Sequence, residues 1–445
     1  MAMPASPWAS GCNFMQILRF YLEIRTQMRN FAAKSEEMKK LFIALLALTV
    51  LTGCHKDKEE DRSADRTVLV YMSGENNLSS FAQKDLDELI IGSKSIGHNN
   101  LIVYVDRSSY KELPWLARLK DGQITDSVSI ADMGISESDE YASDPAVMEK
   151  VIRYTINKYP SNNNDYALAF FGHGSGWLVK DSIAYTSMAR NRAYGIDNGR
   201  NSESMDGKWL NIPSMKKVLE KFPRFSYIFF DCCNMQCLEV AYELRNVADY
   251  IIGSPAEIPA VGAPYITVAP AMMEKTTFWK SIVDRYAEQR ASGYDLPLSV
   301  IKTSEMENLA HATKNALNAS KENFSGSTYP NLSGLIHYYY TFSDKQLYYD
   351  ANDFILKYAP TNEYNTWKQA FDKVVIYKIM ADTWMTNLVP SWGIWNDFYG
   401  DFEMTEEKYG GVSMFIPQWK SQTTDNINIK QFGWYYAAGY ESVGW

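Results

Sequence analysis

Five short runs of apolar and aromatic residues recur through the first part of the chain, at 67–72, 101–105, 166–171, 227–230 and 250–252. They lack the apolar–polar alternation of a half-exposed strand, so they predict strands that are covered on both faces. Patterns typical of helices lie between them. This alternation predicts an α/β fold with a doubly wound, mostly parallel sheet flanked by helices.

The connecting segments carry amphipathic patterns that predict helices. Residues 78–90 form the first, and the second opens at Ser143-Asp144-Pro145, because aspartate caps helices and proline fits the first turn. Residues 236–245 form a third. After residue 254 the patterns are weaker and predict a mixed extension, with helices at 279–288, 306–319, 346–358 and 367–384 and a late strand at 411–416.

The start of the chain predicts export. An apolar run at 41–51 follows Lys39 and Lys40. It is too short to span a bilayer, which takes about 20 residues, and fits a signal peptide better than a lone buried helix. The run ends at Cys54 in a sequence that resembles the bacterial lipobox, in which this cysteine is acylated.

This resemblance implies a protein anchored by lipid in the bacterial cell envelope, at the outer membrane or cell surface. We therefore predict an over-extended start plus signal peptide at 1–53, with Met38 as initiator. A charged tether at 54–65, a catalytic core at 66–270 and a packed extension at 271–445 complete the predicted organisation.

Composition narrows the possible functions. A formal net charge of -9 argues against nucleic acid as the main partner. Five cysteines in 445 residues cannot form a disulfide framework, and five histidines leave little for a metal site. Metal ligation by Cys232, Cys233 and Cys237 lacks a second cluster, so we predict no metal and no cofactor.

Two predicted strand ends carry the chemistry. One run leads into Gly172-His173-Gly174, and another leads into Asp231-Cys232-Cys233. In doubly wound sheets, reactive groups gather at the carboxyl ends of strands. An imidazole and a helix N-terminus both favour a thiolate, and the Gly174 N–H could stabilise an oxyanion. The pattern is that of acyl transfer by a Cys–His dyad.

The residues alone favour one of three thiols. If the strand persists, Asp231 and Cys233 point to one face and Cys232 to the other. We expect Cys233 to be the nucleophile, and Cys232 and Cys237 to be buried as small apolar residues. Asp231 either binds a basic substrate side chain or caps the following helix; both interpretations stay open at this point.

The two motifs resemble the clostripain family of cysteine peptidases. Residues 172–177 match its histidine motif and 231–235 its nucleophile motif, with Cys232 and Asn234 in place of the usual Ala and Leu. Segments 67–78, 239–244, 258–265 and 410–417 extend the resemblance over nearly all of the chain that would remain after export. The sequence departs from the family pattern at two positions. Glu75 replaces the usual Asp, and Ala260 replaces the usual Gly beside the expected wall of the specificity pocket.

The resemblance implies a caspase-like, gingipain-like and legumain-like fold. It makes His173 the catalytic histidine, Cys233 the nucleophile, Gly174 with the Cys233 backbone the oxyanion site, and Asp231 the carboxylate that selects Arg or Lys. Family members often mature by self-cleavage between the motifs. An uncut surface loop is the alternative here; the basic candidates are Lys180, Arg190, Arg192, Arg200 and Lys208.

The sequence thus predicts an exported, lipid-anchored cysteine endopeptidase that cuts after Arg or Lys through a thioacyl-enzyme intermediate. Its partners would be protein or peptide substrates and, through Cys54, the membrane; we expect a monomer. The alternative is a non-catalytic surface lipoprotein of the same fold that binds peptide or glycan, since fold alone does not define function. The His–Cys–Asp set favours the enzyme.

Overall fold

The computed structural model describes residues 64–108, 112–137, 141–178, 194–197, 199, 207–288, 296–324, 329–338, 348–381, 384–385, 395–396, 402–417 and 428–445. The predicted signal peptide, the predicted lipidation site at Cys54 and nearly all of the tether lie outside these residues. Among the described residues, no helix is long and apolar enough to cross a membrane.

A nine-stranded sheet forms the centre of the described chain. Its strands, from one edge to the other, are β12 (Val375–Ile379), β10 (Leu298–Lys302), β9 (Ala248–Gly253), β8 (Phe225–Asp231), β5 (Tyr166–Gly172), β1 (Thr67–Gly74), β2 (Asn100–Arg107), β3 (Trp115–Lys120) and β4 (Gln123–Ser129). The middle five, β9-β8-β5-β1-β2, are parallel. Each of the outer four strands pairs antiparallel with its inner neighbour, so the sheet is parallel at its centre and mixed at its edges.

Helices flank this sheet. In the described chain they are α1 (Ser79–Gly92), α2 (Pro145–Lys158), α3 (Ile212–Leu219), α4 (Leu238–Glu243), α5 (Tyr265–Met272), α6 (Phe278–Glu288), α7 (Met306–Ala319), α8 (Ala351–Tyr358), α9 (Thr361–Val374) and α10 (Gly433–Ala437). Three two-stranded sheets accompany them: β6 (Tyr194–Asp197) with β7 (Lys208–Leu210), β11 (Tyr349–Asp350) with β15 (Ser413–Met414), and β13 (Trp384–Met385) with β14 (Trp395–Asn396).

The predicted α/β architecture is confirmed, and burial explains why its strands were visible in the sequence. Successive residues of a strand face opposite sides of the sheet. In β1, Leu69 and Tyr71 enter one apolar core while Val68 and Val70 enter the other. Each central strand must therefore be apolar at consecutive positions, which produces an unbroken run.

The edge strands escaped prediction because their surroundings differ. Strand β4 is mostly exposed and carries polar residues such as Asp126, so its sequence resembles a loop. Strand β12 follows α9 directly at Val374–Val375, and the predicted helix at 367–384 is wrong beyond Val374. There the chain pairs with β10 instead, and tertiary pairing overrides local helical propensity.

Two helix starts show how local signals work. Asp144 caps α2 as predicted, accepting a hydrogen bond from the Ala146 N–H at 2.8 Å. Helix α8 begins at Ala351, later than predicted, because buried Asp350 caps it through the N–H groups of Asn352 and Asp353. Asp350 also accepts from the Tyr338 hydroxyl and from the backbone N–H groups of Gly410 and Gly411, which ties three parts of the C-terminal half together.

A buried glutamate joins the C-terminal segment to helix α4. Glu239 in α4 is fully buried, and its Oε1 accepts the Phe415 N–H at 2.8 Å. Burial raises the pKa of Glu239 from 4.5 to about 7. The folded state therefore holds this proton more tightly than the unfolded chain. The resulting stability is fully present below pH 4.5 and is lost as the pH rises through 7.

We predict that Glu239→Gln flattens the dependence of the unfolding free energy on pH between 4.5 and 7. The wild type should lose up to about 3 kcal/mol relative to this variant over that interval, because glutamine does not ionise. Denaturant unfolding at several pH values measures the difference. The control is Glu322→Gln, at an exposed glutamate; parallel curves for the two variants would contradict the prediction.

Candidate active site

The register of two neighbouring parallel strands determines where the histidine and the thiol lie. Phe171 of β5 pairs with Asp231 of β8. His173 and Cys233 each follow two residues later, so they leave the same carboxyl edge of the sheet at matching positions. The order of the five parallel strands reverses between β1 and β5, which makes this edge the customary place for a ligand crevice.

The two loops that follow these strands pack against each other through glycine. A Cβ atom on Gly174 would lie 2.6 Å from the carbonyl oxygen of Cys233 and 2.9 Å from the Cβ of Cys232. Gly176 has a φ of +56°, and its Cβ would lie 2.5 Å from the carbonyl oxygen of Asn234. The histidine loop therefore needs glycine at both positions to approach the cysteine loop this closely.

The three thiols lie in different environments. Cys232 is fully buried in one core, and its Sγ–H donates to the Phe170 carbonyl at 3.1 Å. Cys237 is buried in the same core. Cys233 is partly exposed and packs against the opposite core, which contains Phe229. The alternation of side chains along β8 thus continues through Cys233.

The expected helix N-terminus at the thiol is wrong. Helix α4 begins at Leu238 rather than near 236, and it is six residues long. Asn234 takes a left-handed φ of 59°, which turns the chain away from Cys233 before a helix can start. A helix dipole therefore does not act on Cys233, and the interpretation of Asp231 as a cap for this helix is wrong as well.

The Cys233 thiol contacts the loop that follows β9. The Ile258 N–H donates to Sγ at 3.3 Å, and the thiol faces the Ile258 carbonyl at 3.8 Å. Burial, followed by the negative charge of Glu257, raises the pKa of Cys233 to about 12, against the effect of the Ile258 N–H. In this arrangement the thiol is protonated at neutral pH.

His173 is oriented by a residue that our sequence reasoning did not assign to the site. Its Nε2 lies 2.7 Å from Oδ1 of Asn77, just beyond the end of β1. An amide oxygen only accepts, so Nε2 carries the proton and Nδ1 is the unprotonated nitrogen of the ring. Asn77 was visible in the sequence as part of Asn76-Asn77, but the pairing depends on contact across the sheet.

Asp231 is fully buried on the same side of β8 as Cys233. Its Oδ2 accepts from the Ala263 N–H at 2.9 Å and from the Tyr265 hydroxyl at 3.0 Å, and its Oδ1 accepts from the Tyr286 hydroxyl at 2.6 Å. Burial raises the pKa of Asp231 above its ordinary value, and these three donors oppose that increase without cancelling it. The donors fix the orientation of the carboxylate below the loop that contacts Cys233.

Within the described residues, one cluster has the donor set of a hard metal ion. Oxygen atoms of Glu75, Asp106 and Asp197 lie within 4.8 Å of one another, and all three residues are buried. The Ala142 N–H donates to both aspartates. Burial, followed by the neighbouring carboxylates, raises the pKa of Asp106. Sequence reasoning missed this cluster because its members come from three separate elements.

Other sequence-predicted residues lie elsewhere. Lys180, Arg190, Arg192 and Arg200 fall outside the described residues. Lys208 lies in β7, paired with Asp197 of β6, and its Nζ sits 3.6 Å from the ring centre of Tyr141.

A doubly wound sheet with a histidine and a cysteine beyond adjacent strands is the architecture of caspase-like cysteine peptidases. The peptidase C11 family, the clostripain family, matches residues 70–438. The chain belongs to this family and is a cysteine-type peptidase. No curated protein sequence matches the chain.

Solved structures agree with this assignment. A secreted C11 cysteine protease from Bacteroides thetaiotaomicron, in complex with an irreversible peptide inhibitor, is 30% identical with a TM-score of 0.69, over 85% of this chain and 100% of that one. An inactive zymogen C11 protease from Parabacteroides distasonis is 27% identical with a TM-score of 0.68, over 84% and 98%. A further secreted Bacteroides thetaiotaomicron C11 protease, iotapain, is 18% identical with a TM-score of 0.65, over 84% and 99%, and shares the fold.

The surroundings of Cys233 yield a prediction about its reactivity. Glu257→Gln removes a negative charge that raises the thiol pKa, so we expect faster alkylation of Cys233 by iodoacetamide at pH 8. The expected gain is roughly threefold, or about half a pKa unit. Intact mass spectrometry against time measures the rate. Cys233→Ala is the control that shows which mass increase comes from alkylation of Cys233. An alkylation rate that is unchanged in Glu257→Gln would contradict the role of Glu257.

Proposed function

We propose that the chain is an exported endopeptidase that cleaves peptide bonds after Arg or Lys, with Cys233 as nucleophile and His173 as general base and acid. One observation carries the proposal. His173 and Cys233 occupy matching positions beyond two paired strands, and Gly174 lies against the backbone of Cys233.

The chemistry follows from these positions. His173 Nδ1 removes the proton from the Cys233 thiol as Sγ attacks the scissile carbonyl carbon. This removal is needed because the thiol is otherwise protonated. The oxyanion that forms accepts hydrogen bonds from the N–H groups of Gly174 and Cys233. Gly174 lies opposite Tyr194 in an isolated antiparallel β-bridge. The backbone hydrogen bond at this bridge runs from the Gly195 N–H to the His173 carbonyl, so it does not use the Gly174 N–H.

Collapse of this intermediate breaks the carbon–nitrogen bond, and the imidazolium of His173 gives its proton to the leaving amine. The acyl group stays on Sγ as a thioester. Water then attacks the thioester carbonyl as His173 takes one of its protons, and the acid product leaves as the proton returns to sulfur. Asn77 keeps the proton on Nε2 throughout, so that Nδ1 faces the reaction.

Asp231 supports a preference for a basic residue before the cleaved bond. It lies two residues before Cys233 on the same face of the strand, a span of roughly 6.7 Å. An extended lysine or arginine side chain spans a similar distance from its Cα to its charge. Because Asp231 is fully buried, a cation that reaches it would be attracted far more strongly than in water.

Export and anchoring are supported by the start of the sequence and by the relatives. We propose that the signal peptide ends before Cys54 and that this cysteine carries lipid, which would hold a monomeric enzyme in the cell envelope. Two of the similar structures are of proteases described as secreted.

The test is a set of variants in the chain from Cys54 onward, with Cys54 replaced by serine. Fluorogenic peptides that end in Arg, Lys or Asp report cleavage. We expect hydrolysis after Arg and Lys, and at least a thousandfold loss in both Cys233→Ala and His173→Ala, as for other nucleophile–base pairs. Cys232→Ala is the matched control, since it removes a neighbouring thiol that faces the opposite core.

Three outcomes would contradict the proposal. Absence of cleavage in the wild type favours the non-catalytic alternative. Activity that survives Cys233→Ala places the nucleophile elsewhere. Loss in Cys232→Ala with activity retained in Cys233→Ala reverses the register proposed for the two thiols.

Asn77 yields a separate prediction. Asn77→Ala should lower kcat by roughly tenfold to a hundredfold with little change in KM, because His173 loses the acceptor that fixes its tautomer. Asn77→Asp restores an acceptor and adds a charge, so it should recover part of kcat and raise the pKa of the acid limb of the pH–rate profile. If kcat falls equally in both variants and the pH–rate profile does not move, Asn77 has only a structural role.

A further inference from the structure

A second buried carboxyl group lies beside Asp231. Asp85 of α1 is 1% exposed, and its Oδ2 has no hydrogen-bond partner among the residues that the structure describes. Glu88, one turn later on α1, is held by the backbone N–H groups of Tyr265 and Ile266 at the start of α5. A buried carboxyl oxygen without a donor lowers the stability of the folded protein. We therefore expect a ligand that donates to Asp85.

Gly262 shows that the two aspartates border one small volume. A Cβ atom on Gly262 would lie 2.7 Å from Oδ2 of Asp85 and 2.9 Å from Oδ2 of Asp231. Gly262 has a φ of +64°, so glycine is favoured there by the backbone as well. Any side chain at this position would fill the space between the carboxylates.

The electrostatics of this space favour a cation. Burial, then the charges of Asp231 and Glu88, raise the pKa of Asp85 to about 10, against a smaller opposing effect of Lys84. Lys84 itself lies on the exposed side of α1, over the ring of Phe81. Asp231 has three donors and Oδ2 of Asp85 has none among the described residues, so a proton shared by the two carboxyl groups is favoured on Asp85.

The same loop connects this pair with the nucleophile. Ile258 contacts the Cys233 thiol, while Ala263, five residues later, donates to Asp231. A substrate residue whose carbonyl lies at Cys233 could thus extend its side chain along β8, under this loop, to the carboxyl pair.

We propose that Asp85 is a second specificity-determining carboxylate, which binds with Asp231 the cationic side chain that precedes the cleaved bond. This inference rests on the proposed function and names the residue that completes its pocket. Entry of the ammonium or guanidinium group displaces the proton from Asp85, and both carboxylates then face one cation.

The test compares Asp85→Asn with Asp87→Asn, which removes an exposed carboxylate two residues away on the same helix. The substrates are fluorogenic peptides that end in lysine or in norleucine, which has a similar shape without the charge. For Asp85→Asn we expect kcat/KM on the lysine peptide to fall roughly tenfold to a hundredfold, mainly through KM. The norleucine peptide and Asp87→Asn should change little.

A second readout is proton release on binding. In a Cys233→Ala background, a peptide with Arg at the cleaved bond is titrated calorimetrically at pH 7 in two buffers of different ionisation enthalpy. Asp85 should release about one proton per site, and Asp85→Asn should release almost none. Loss of packing alone would not change this proton count.

The outcomes separate the two proposals. Wild-type cleavage after Arg and Lys, with an unchanged lysine-to-norleucine ratio in a folded Asp85→Asn variant, overturns the role of Asp85 and leaves the proposed function standing. Binding to Cys233→Ala without proton release, with Asp85 intact, does the same. A wild type that cleaves neither basic peptide overturns the proposed function and this inference with it. Thermal melting of both variants establishes that they are folded.

Discussion

The parallel pairing of β5 with β8 is the interaction on which the rest of the structure depends. Its register aligns Phe171 with Asp231, and so sets His173 and Cys233 at equal distances beyond the sheet. A shift of one residue would turn one of the two side chains to the opposite face. The apolar residues that cover both faces of these strands hold the register, so the core determines the geometry of the site.

Much of this arrangement could be predicted from the sequence, because burial on both faces leaves an unbroken apolar run. All five central strands appear where such runs occur, and each extends by one to three residues beyond its run. The histidine and cysteine motifs were visible for the same reason, since each follows a buried strand directly. The glycines around His173 signalled a close approach, although its partner, the backbone at Cys233, is known from the fold alone.

What the sequence could not provide depends on contacts between distant segments. Asn77 and Asp85 lie far from Cys233 along the chain. Their contacts with His173 and with the loop around Gly262 form only when the chain folds. The left-handed Asn234 delays α4 and removes the expected helix dipole from the thiol. In the proposed mechanism, activation of the thiol therefore depends on His173, and the raised pKa of Cys233 follows from burial and from Glu257.

We propose that Cys233 and His173 act as one chemical unit at the matched strand ends. The most direct measurement is to treat the chain with a peptidyl chloromethyl ketone that ends in arginine and to map the alkylated residue by mass spectrometry. We expect labelling of Cys233, with Cys232 and Cys237 unlabelled, and near-complete loss of labelling in His173→Ala. Labelling of Cys232, or labelling of Cys233 at an undiminished rate without His173, would contradict it.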